Sequence, residues 1–271
     1  MKYKEIITKE FLEDLYIKKE LSINEISKIT PYSRPTLVKY MRYYNMEIDN
    51  AGKKGRIKSI KSNDLNINYF DNIDEDAKAY ILGFLLGDGY IIRERINITV
   101  ALEDEDIIKQ ISEKLSAEEY ISYSKYKSKN RNEQDKCTLR FRRTEMSEKI
   151  HNIGIPYSPK SGKETFINFN NDLTWSFIRG VFDADGCVRV YERDNFRKYK
   201  LSFSIGELFC NGLRKFLENQ NIILPPKCIR KIPGTFVFEV ASKNLLELFK
   251  LKMYENSTIH LKRKKIVFDK M

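Results

Sequence analysis

The segments ILGFLLGDG (81–89) and IRGVFDADG (178–186) are two copies of one pattern. They align without a gap: Gly83 on Gly180, Gly87 on Ala184, Asp88 on Asp185, Gly89 on Gly186. Gly83 and Gly87 are four residues apart and share a helix face, as do Gly180 and Ala184. Small residues at that spacing let two helix backbones approach closely. A glycine inside a helix costs about 0.5–1 kcal/mol relative to alanine, so close packing must offset it. Gly89 and Gly186 suit the left-handed position that ends a helix. An Asp is then left in the last turn of each helix, where the helix dipole disfavours negative charge by a few tenths to about 1 kcal/mol. If the helices pair side by side, the two acids converge and their repulsion adds to that cost. A divalent cation between them relieves both penalties. Mg²⁺ takes carboxylate oxygens, backbone carbonyls and waters, and there it activates water and stabilises the charge of an in-line phosphoryl displacement. One Asp-Gly alone reads as a turn or a helix stop. Two copies, each opening an equivalent stretch of chain, do not.

Outward from these copies the chain repeats itself. A helix over 75–89 is followed by strands near 90–93 and 96–102, a helix over 104–115, strands at 120–127 and 136–143, and a helix over 146–153. The second copy runs from a helix at 171–186 through strands at 187–193 and 199–205, a helix at 207–221, strands at 227–232 and 235–241, and a helix at 244–254. The order is αββαββα in both. The strands alternate: Tyr199, Leu201, Phe203 and Ile205 oppose Lys200, Ser202 and Ser204; Leu139 and Phe141 oppose Arg140 and Arg142; Val188 and Val190 oppose Arg189, Tyr191 and Arg193. Each sheet therefore has an apolar face for helices and a basic, hydroxyl-rich face open to water. Such a face reads a groove through alternate side chains, with Arg93, Arg142, Arg189, Tyr191, Arg193, Lys200 and Ser202 as candidate DNA contacts.

Residues 5–46 predict a small helical unit. A helix near 9–20 presents Phe11, Leu12, Leu15 and Tyr16; Ser22 and Glu25 form a capping box before a second helix with Ile26 and Ile29 turned inward. A turn at 31–33 leads to a third helix capped by Ser33, with Pro35 in its first turn. Leu37, Val38 and Met41 face the core, leaving Arg34, Thr36, Lys39 and Tyr40 for outside contacts. This is a helix-turn-helix arrangement whose last helix fits a major groove. Residues 50–63 are polar and basic, and Lys54 and Arg56 could track phosphates. The expected domains are a helix-turn-helix unit (1–49), a basic linker (50–72), a first repeat (73–160) and a second (161–271).

Composition agrees with a polyanion partner. The 271 residues carry 49 Lys and Arg against 38 Asp and Glu, a net charge of +11. No apolar run spans a membrane and no signal peptide is evident, so a cytoplasmic protein is expected. The four cysteines are scattered, without a Cys-x-x-Cys pair, and there are two histidines, which excludes a His-rich or zinc-finger site. Chemistry must rest on carboxylates and lysines. The segment 154–164 lacks the spacing of a phosphate-binding loop and reads as a connection between repeats. The tail HLKRKKIVFDK reads as an amphipathic, phosphate-contacting helix or a localisation signal. Trp175 belongs in the core, and Tyr123, Tyr126 and Tyr157 are candidates for packing or for DNA contact.

The two motifs and the repeat resemble the LAGLIDADG homing endonuclease family, in its single-chain, two-motif form, over roughly residues 70–271. The resemblance implies an α+β fold: a duplicated αββαββα unit with two saddle-shaped antiparallel sheets straddling double-stranded DNA, here preceded by an all-α helix-turn-helix module. It implies a monomeric, pseudo-two-fold, site-specific endonuclease that needs Mg²⁺, with Mn²⁺ or Ca²⁺ as substitutes and no small-molecule cofactor. Asp88 and Asp185 would bind the metal, helped by the backbone carbonyls of Gly87 and Ala184. Where the family uses a lysine late in a fourth strand to polarise water, this chain has Arg140 in one unit and Glu239 in the other, with Arg142 and Lys231 as neighbouring substitutes. The alternatives are a catalytically inactive DNA-binding transcription regulator on the same fold and an intron RNA maturase.

Overall fold

A computed structural model describes residues 7–19, 21–46, 48, 65–125, 134–193 and 195–271. The chain divides into two units, residues 1–64 and 65–271. Among the described residues no helix is long and apolar enough to cross a membrane.

In the first unit, α1 (Lys9–Glu13) continues as one widened turn over Asp14–Lys18, followed by α2 (Ile23–Ile29) and α3 (Arg34–Tyr43). The capping box forms: Ser22 Oγ accepts from Glu25 N at 3.2 Å and Glu25 Oε2 accepts from Ser22 N at 2.8 Å. Leu12, Leu15, Tyr16, Ile23, Ile26, Leu37 and Met41 make the core. Ile29 departs from the expected pattern and is 64% exposed. It is the last residue of its helix, beyond the turn that packs. Ser33 spends its hydroxyl on Thr36 Oγ1 at 2.9 Å instead of on the helix backbone.

The second unit is the duplicated αββαββα fold. Its first half is α4 (Asp76–Gly87), β1 (Gly89–Ile92), β2 (Arg95–Ala101), α5 (Glu105–Leu115), β3 (Ile121–Ser124), β4 (Lys136–Phe141) and α6 (Thr144–Ile153). Its second half is α7 (Asn171–Asp185), β5 (Gly186–Arg193), β6 (Phe196–Ile205), α8 (Glu207–Glu218), β7 (Ile229–Ile232), β8 (Thr235–Val240) and α9 (Lys243–Tyr254), closed by α10 (Lys262–Asp269). Each half holds one antiparallel sheet, ordered β1-β2-β4-β3 and β5-β6-β8-β7. The alternation read from sequence sets the register: Leu201, Phe203, Leu139 and Phe141 are buried, while Arg140 and Arg189 face out. Residues 65–72, expected in the linker, belong to this unit, because Leu65, Tyr69 and Phe70 are buried in its core. The rest of that linker, including Lys54 and Arg56, lies outside the described residues.

Both halves share one core, with α4 and α7 at its centre. From Ala77 to Leu86, α4 is buried at every position except Lys78, so it is apolar on all sides. Trp175 is 2% exposed, edge-on to Phe216 and Phe249.

Candidate active site

The motif helices meet main chain to main chain. A Cβ on Gly83 would collide with the carbonyl oxygen of Phe177, and one on Gly180 with that of Tyr80. A Cβ on Gly87 would meet Ala184 Cβ and lie 2.9 Å from Asp185 Oδ2. The small residues thus let the helices touch, and the touching brings their carboxyl ends together. Asp88 caps α4, its N–H donating to Phe84 O at 2.9 Å; Asp185 is the last residue of α7. Gly89 and Gly186 do not act as left-handed caps. Gly186 is extended (φ −85°, ψ 161°), and both are glycine because the departing strand doubles back on the last helical turn. A Cβ there would strike Leu85 or Phe182.

Two lysines complete the site, and neither was singled out from the sequence. Lys160 Nζ donates to the carbonyls of Leu85 (2.8 Å), Leu86 (2.7 Å) and Gly87 (2.7 Å). Lys264 Nζ reaches those of Phe182 (2.6 Å), Asp183 (2.7 Å), Ala184 (3.4 Å) and Gly186 (2.7 Å). Each ammonium sits where the helix dipole is negative and supplies donors to helix-end carbonyls, of which Leu85 O and Phe182 O also accept from the cap N–H of Asp88 and Gly186. Lys160 is set by Ser158, whose N–H donates to Ile91 O at 2.7 Å and whose Oγ accepts from Ile91 N at 3.1 Å.

Lys264 is set by a buried polar network. Asp183 is 2% exposed and accepts from Tyr80 Oη (2.8 Å), Tyr254 Oη (2.5 Å) and Leu261 N (2.7 Å). Arg179 donates to Met253 O (2.6 Å), Ile259 O (3.1 Å) and Asp76 Oδ1 (2.5 Å), so residues 253–261 are tied to both motif helices. Arg263 holds Asp104 through two bonds, at 3.0 and 2.7 Å. The basic tail is therefore a helix, but a docked one, with Lys264 and Phe268 buried.

Electrostatics follow from this crowding. Burial, then the charge of Asp88, pushes Asp185 up to about 6, against the pull of Lys160 and Lys264. Asp88 is also raised by desolvation, against Lys264 and Lys160, although one side of it is open to solvent. Burial pushes Lys160 down to about 8 against the opposing charges of Asp185, Asp88 and Glu164, and lowers Lys264 as well. The oxygen donors here, two carboxylates and helix-end carbonyls, fit a hard divalent cation. Among the described residues no group of three or more His, Cys, Asp or Glu gathers to hold a metal. The carbonyls of Gly87 and Ala184, expected as ligands, accept from the lysines.

Arg140 makes its contact within the sheet. It is exposed on β4, Nε donating to Asn97 Oδ1 at 3.4 Å. Glu239 pairs with Lys200 (3.1 Å) and Arg230 (3.7 Å), and Lys231 lies over the Phe236 ring. Of the expected DNA contacts, Arg189, Tyr191, Lys200 and Ser202 share one sheet face by register. The side chain of Arg193 lies outside the described residues. Arg142 is exposed just past β4, and Arg93 is in the β1–β2 turn, paired with Glu148 at 3.0 Å. Arg34 and Lys39 are exposed on α3, while Thr36 and Tyr40 are half-buried. Tyr157 stacks on His151, Tyr123 is exposed, and Tyr126 lies outside the described residues.

No protein-family model matches the sequence. Among curated proteins it is similar to two uncharacterized proteins of Methanocaldococcus jannaschii. MJ0314 is 26% identical over 158 residues, 58% of this chain and 56% of that protein. MJ1054 is 24% identical over 283 residues, 93% of this chain and 31% of that protein. The chain spans about half the length of the first relative and a third of the second. Among the solved structures it resembles are LAGLIDADG proteins. They include the meganuclease I-CpaMI bound to uncleaved DNA, at 11% identity and TM-score 0.47, covering 71% of this chain and 89% of that one. I-SmaMI bound to uncleaved DNA with calcium matches at 9% and 0.45, over 71% and 89%. The N-terminal LAGLIDADG domain of WhiA matches at 17% and 0.44, over 71% and 92%.

Proposed function

We propose that this chain is a site-specific endonuclease of the LAGLIDADG homing type. It would act as a pseudo-symmetric monomer and hydrolyse phosphodiesters of double-stranded DNA with Mg²⁺ or a substitute divalent ion. One observation carries the reading: Asp88 and Asp185 are brought to a common site by two glycine-paired helices, and each helix end also carries a buried lysine. When bound, the metal supplies a Lewis acid and a water of lowered pKa. The chain's part is to hold it through the two carboxylates and to set two cations beside the phosphate, where negative charge grows in the transition state. Burial lowers Lys160 to about 8, so near neutral pH it would keep its proton and stand in the site as a cation held by three carbonyls. The basic sheet faces would carry the duplex, and α3 of the first unit would add a second contact through Arg34 and Lys39, as a helix-turn-helix module.

The test is incubation of the full chain with its flanking genomic DNA, with and without Mg²⁺ or Mn²⁺. Double-strand cleavage lost in Asp88→Asn and Asp185→Asn supports the proposal. Tight, salt-sensitive binding with no cut in either metal replaces it with the inactive regulator, and selective binding of intron RNA replaces it with the maturase.

A further inference from the structure

The strand pairs that leave the two motif helices differ in reach. β1 has four residues and turns at once, whereas β5 has eight. The β1–β2 ladder ends at Ile92↔Arg95, three steps from Gly89; the β5–β6 ladder ends at Arg193↔Phe196, seven steps from Gly186. At about 3.3 Å per residue the second pair projects roughly 13 Å farther, which is about four base-pair steps of B-DNA.

The inner rungs of β6 are anchored by Leu201, Phe203 and the half-buried Tyr199, whose Oη donates to Lys270 O at 3.0 Å, but the described side chains of β6 beyond Tyr199 are exposed. Val190 is 45% exposed, Phe196 is 67% exposed, and Arg197 and Lys198 are exposed too. A two-stranded ribbon without a packed face is marginal by itself. On one face the rungs place Arg189 opposite Lys200 and Tyr191 opposite Lys198, ending at Phe196. Like charges directly opposite destabilise a free ribbon. Glu239 answers Lys200 at 3.1 Å, but by register no acid stands opposite Arg189 or Lys198. Lys198 Nζ lies 5.6 Å from the Phe196 ring centre, so an aromatic ring edged by a cation stands on the outer rungs of the arm. Unbalanced positive charge on a twisted two-stranded ribbon matches the major groove of B-DNA, which admits such a ribbon. The deep, narrow major groove of A-form RNA does not.

We propose that the β5–β6 arm makes the DNA footprint unequal. The half-site under the second repeat extends about four base pairs beyond the half-site under the first, with Tyr191, Phe196 and Lys198 making the outer contacts. This rests on the DNA reading above. The test uses the full chain and a duplex recovered by repeated selection from a randomised DNA pool in Ca²⁺, mapped by hydroxyl-radical footprinting. Two variants accompany it. In one, Asn-Gly replaces residues 191–198, joining the facing pair Val190 and Tyr199 by a two-residue hairpin turn. In the other, Phe196→Ala and Lys198→Glu change only exposed side chains. The wild type should protect about four more base pairs on one side of the centre. The shortened arm should lose that outer protection alone, with affinity at least tenfold weaker and a log–log salt slope flatter by about two. The point variant should lose only the outermost positions. A symmetric wild-type footprint, or unchanged protection in both variants, overturns the arm and leaves the DNA reading standing. Recovery of no binding duplex overturns both. Equal competition by an RNA duplex of the same sequence overturns the major-groove placement.

Discussion

Lys160 and Lys264 occupy equivalent places, each capping the carboxyl end of one motif helix from a segment remote in sequence. Replacing either by methionine removes a cation from the site and leaves buried carbonyls without donors. Each replacement should lower stability by about 1–2 kcal/mol in urea unfolding. Cleavage should fall at least a hundredfold while DNA affinity changes only a few-fold. Unaltered cleavage by Lys160→Met would remove that lysine from the chemistry.

The acids should cost the free protein stability at neutral pH. Because burial and the charge of Asp88 push Asp185 up to about 6 in the folded chain, above the ordinary 3.8 of an aspartate, the folded state binds its proton more tightly. Its favourable contribution is complete below about pH 4 and is lost as pH rises through about 6. Asp185→Asn should therefore stabilise the metal-free protein at pH 7.5 by about 1–2 kcal/mol, a figure reduced from the full shift because the site opens to water. The gain should vanish near pH 4. Thermal melts in a chelator between pH 4 and 8 check this, and no stabilisation at pH 7.5 would count against a crowded pair of acids. The same shift predicts that divalent affinity, measured by calorimetry, weakens below pH 6 as protons compete.

Helix propensity alone makes Gly180→Ala favourable by about 0.5–1 kcal/mol. The collision with Tyr80 O reverses the sign. A loss of about 2–3 kcal/mol is expected, together with weaker metal binding as the acids separate. A stabilised Gly180→Ala protein would show that the helices do not touch there.

Asp183 accepts three hydrogen bonds in the core, where the equivalent position of the first repeat is the buried apolar Leu86. Asp183→Ala should cost about 3 kcal/mol by stranding the two tyrosine hydroxyls and the Leu261 amide. Hydrogen exchange should quicken most over residues 262–269, since that helix loses its tie. Uniform acceleration across the second unit instead would mean that the network supports the whole core, with no special part in holding Lys264.

The duplication and both sheets were legible because periodicity and glycine spacing are local properties. The strand alternation around Leu201 and Phe203 has a buried face to enforce it. Its apolar side loses burial at Val190, which is 45% exposed, and the strand runs on to Phe196, before the expected start at Tyr199, although the pairing keeps its register. The two acids were legible from their misplacement at helix ends. The lysines were not: Lys160 sits in what reads as a connecting loop, Lys264 in what reads as a charged tail. Each reaches back more than seventy residues to its carbonyls. The signal available was a cation missing from the ends of two helices that each finish in an acid. Gly89 and Gly186 were rightly marked as special, but for steric room rather than for handedness.

The crossing at Gly83 and Gly180 has a consequence for how this sequence can change over generations. The gap between the two helices is fixed by peptide groups, which every amino acid shares, and not by the shapes of interlocking side chains. Substitutions among the surrounding leucines, isoleucines and phenylalanines can accumulate without altering the separation of the acids. At the crossing itself heredity must preserve only a handful of small residues, while the apolar side chains around them are free to wander.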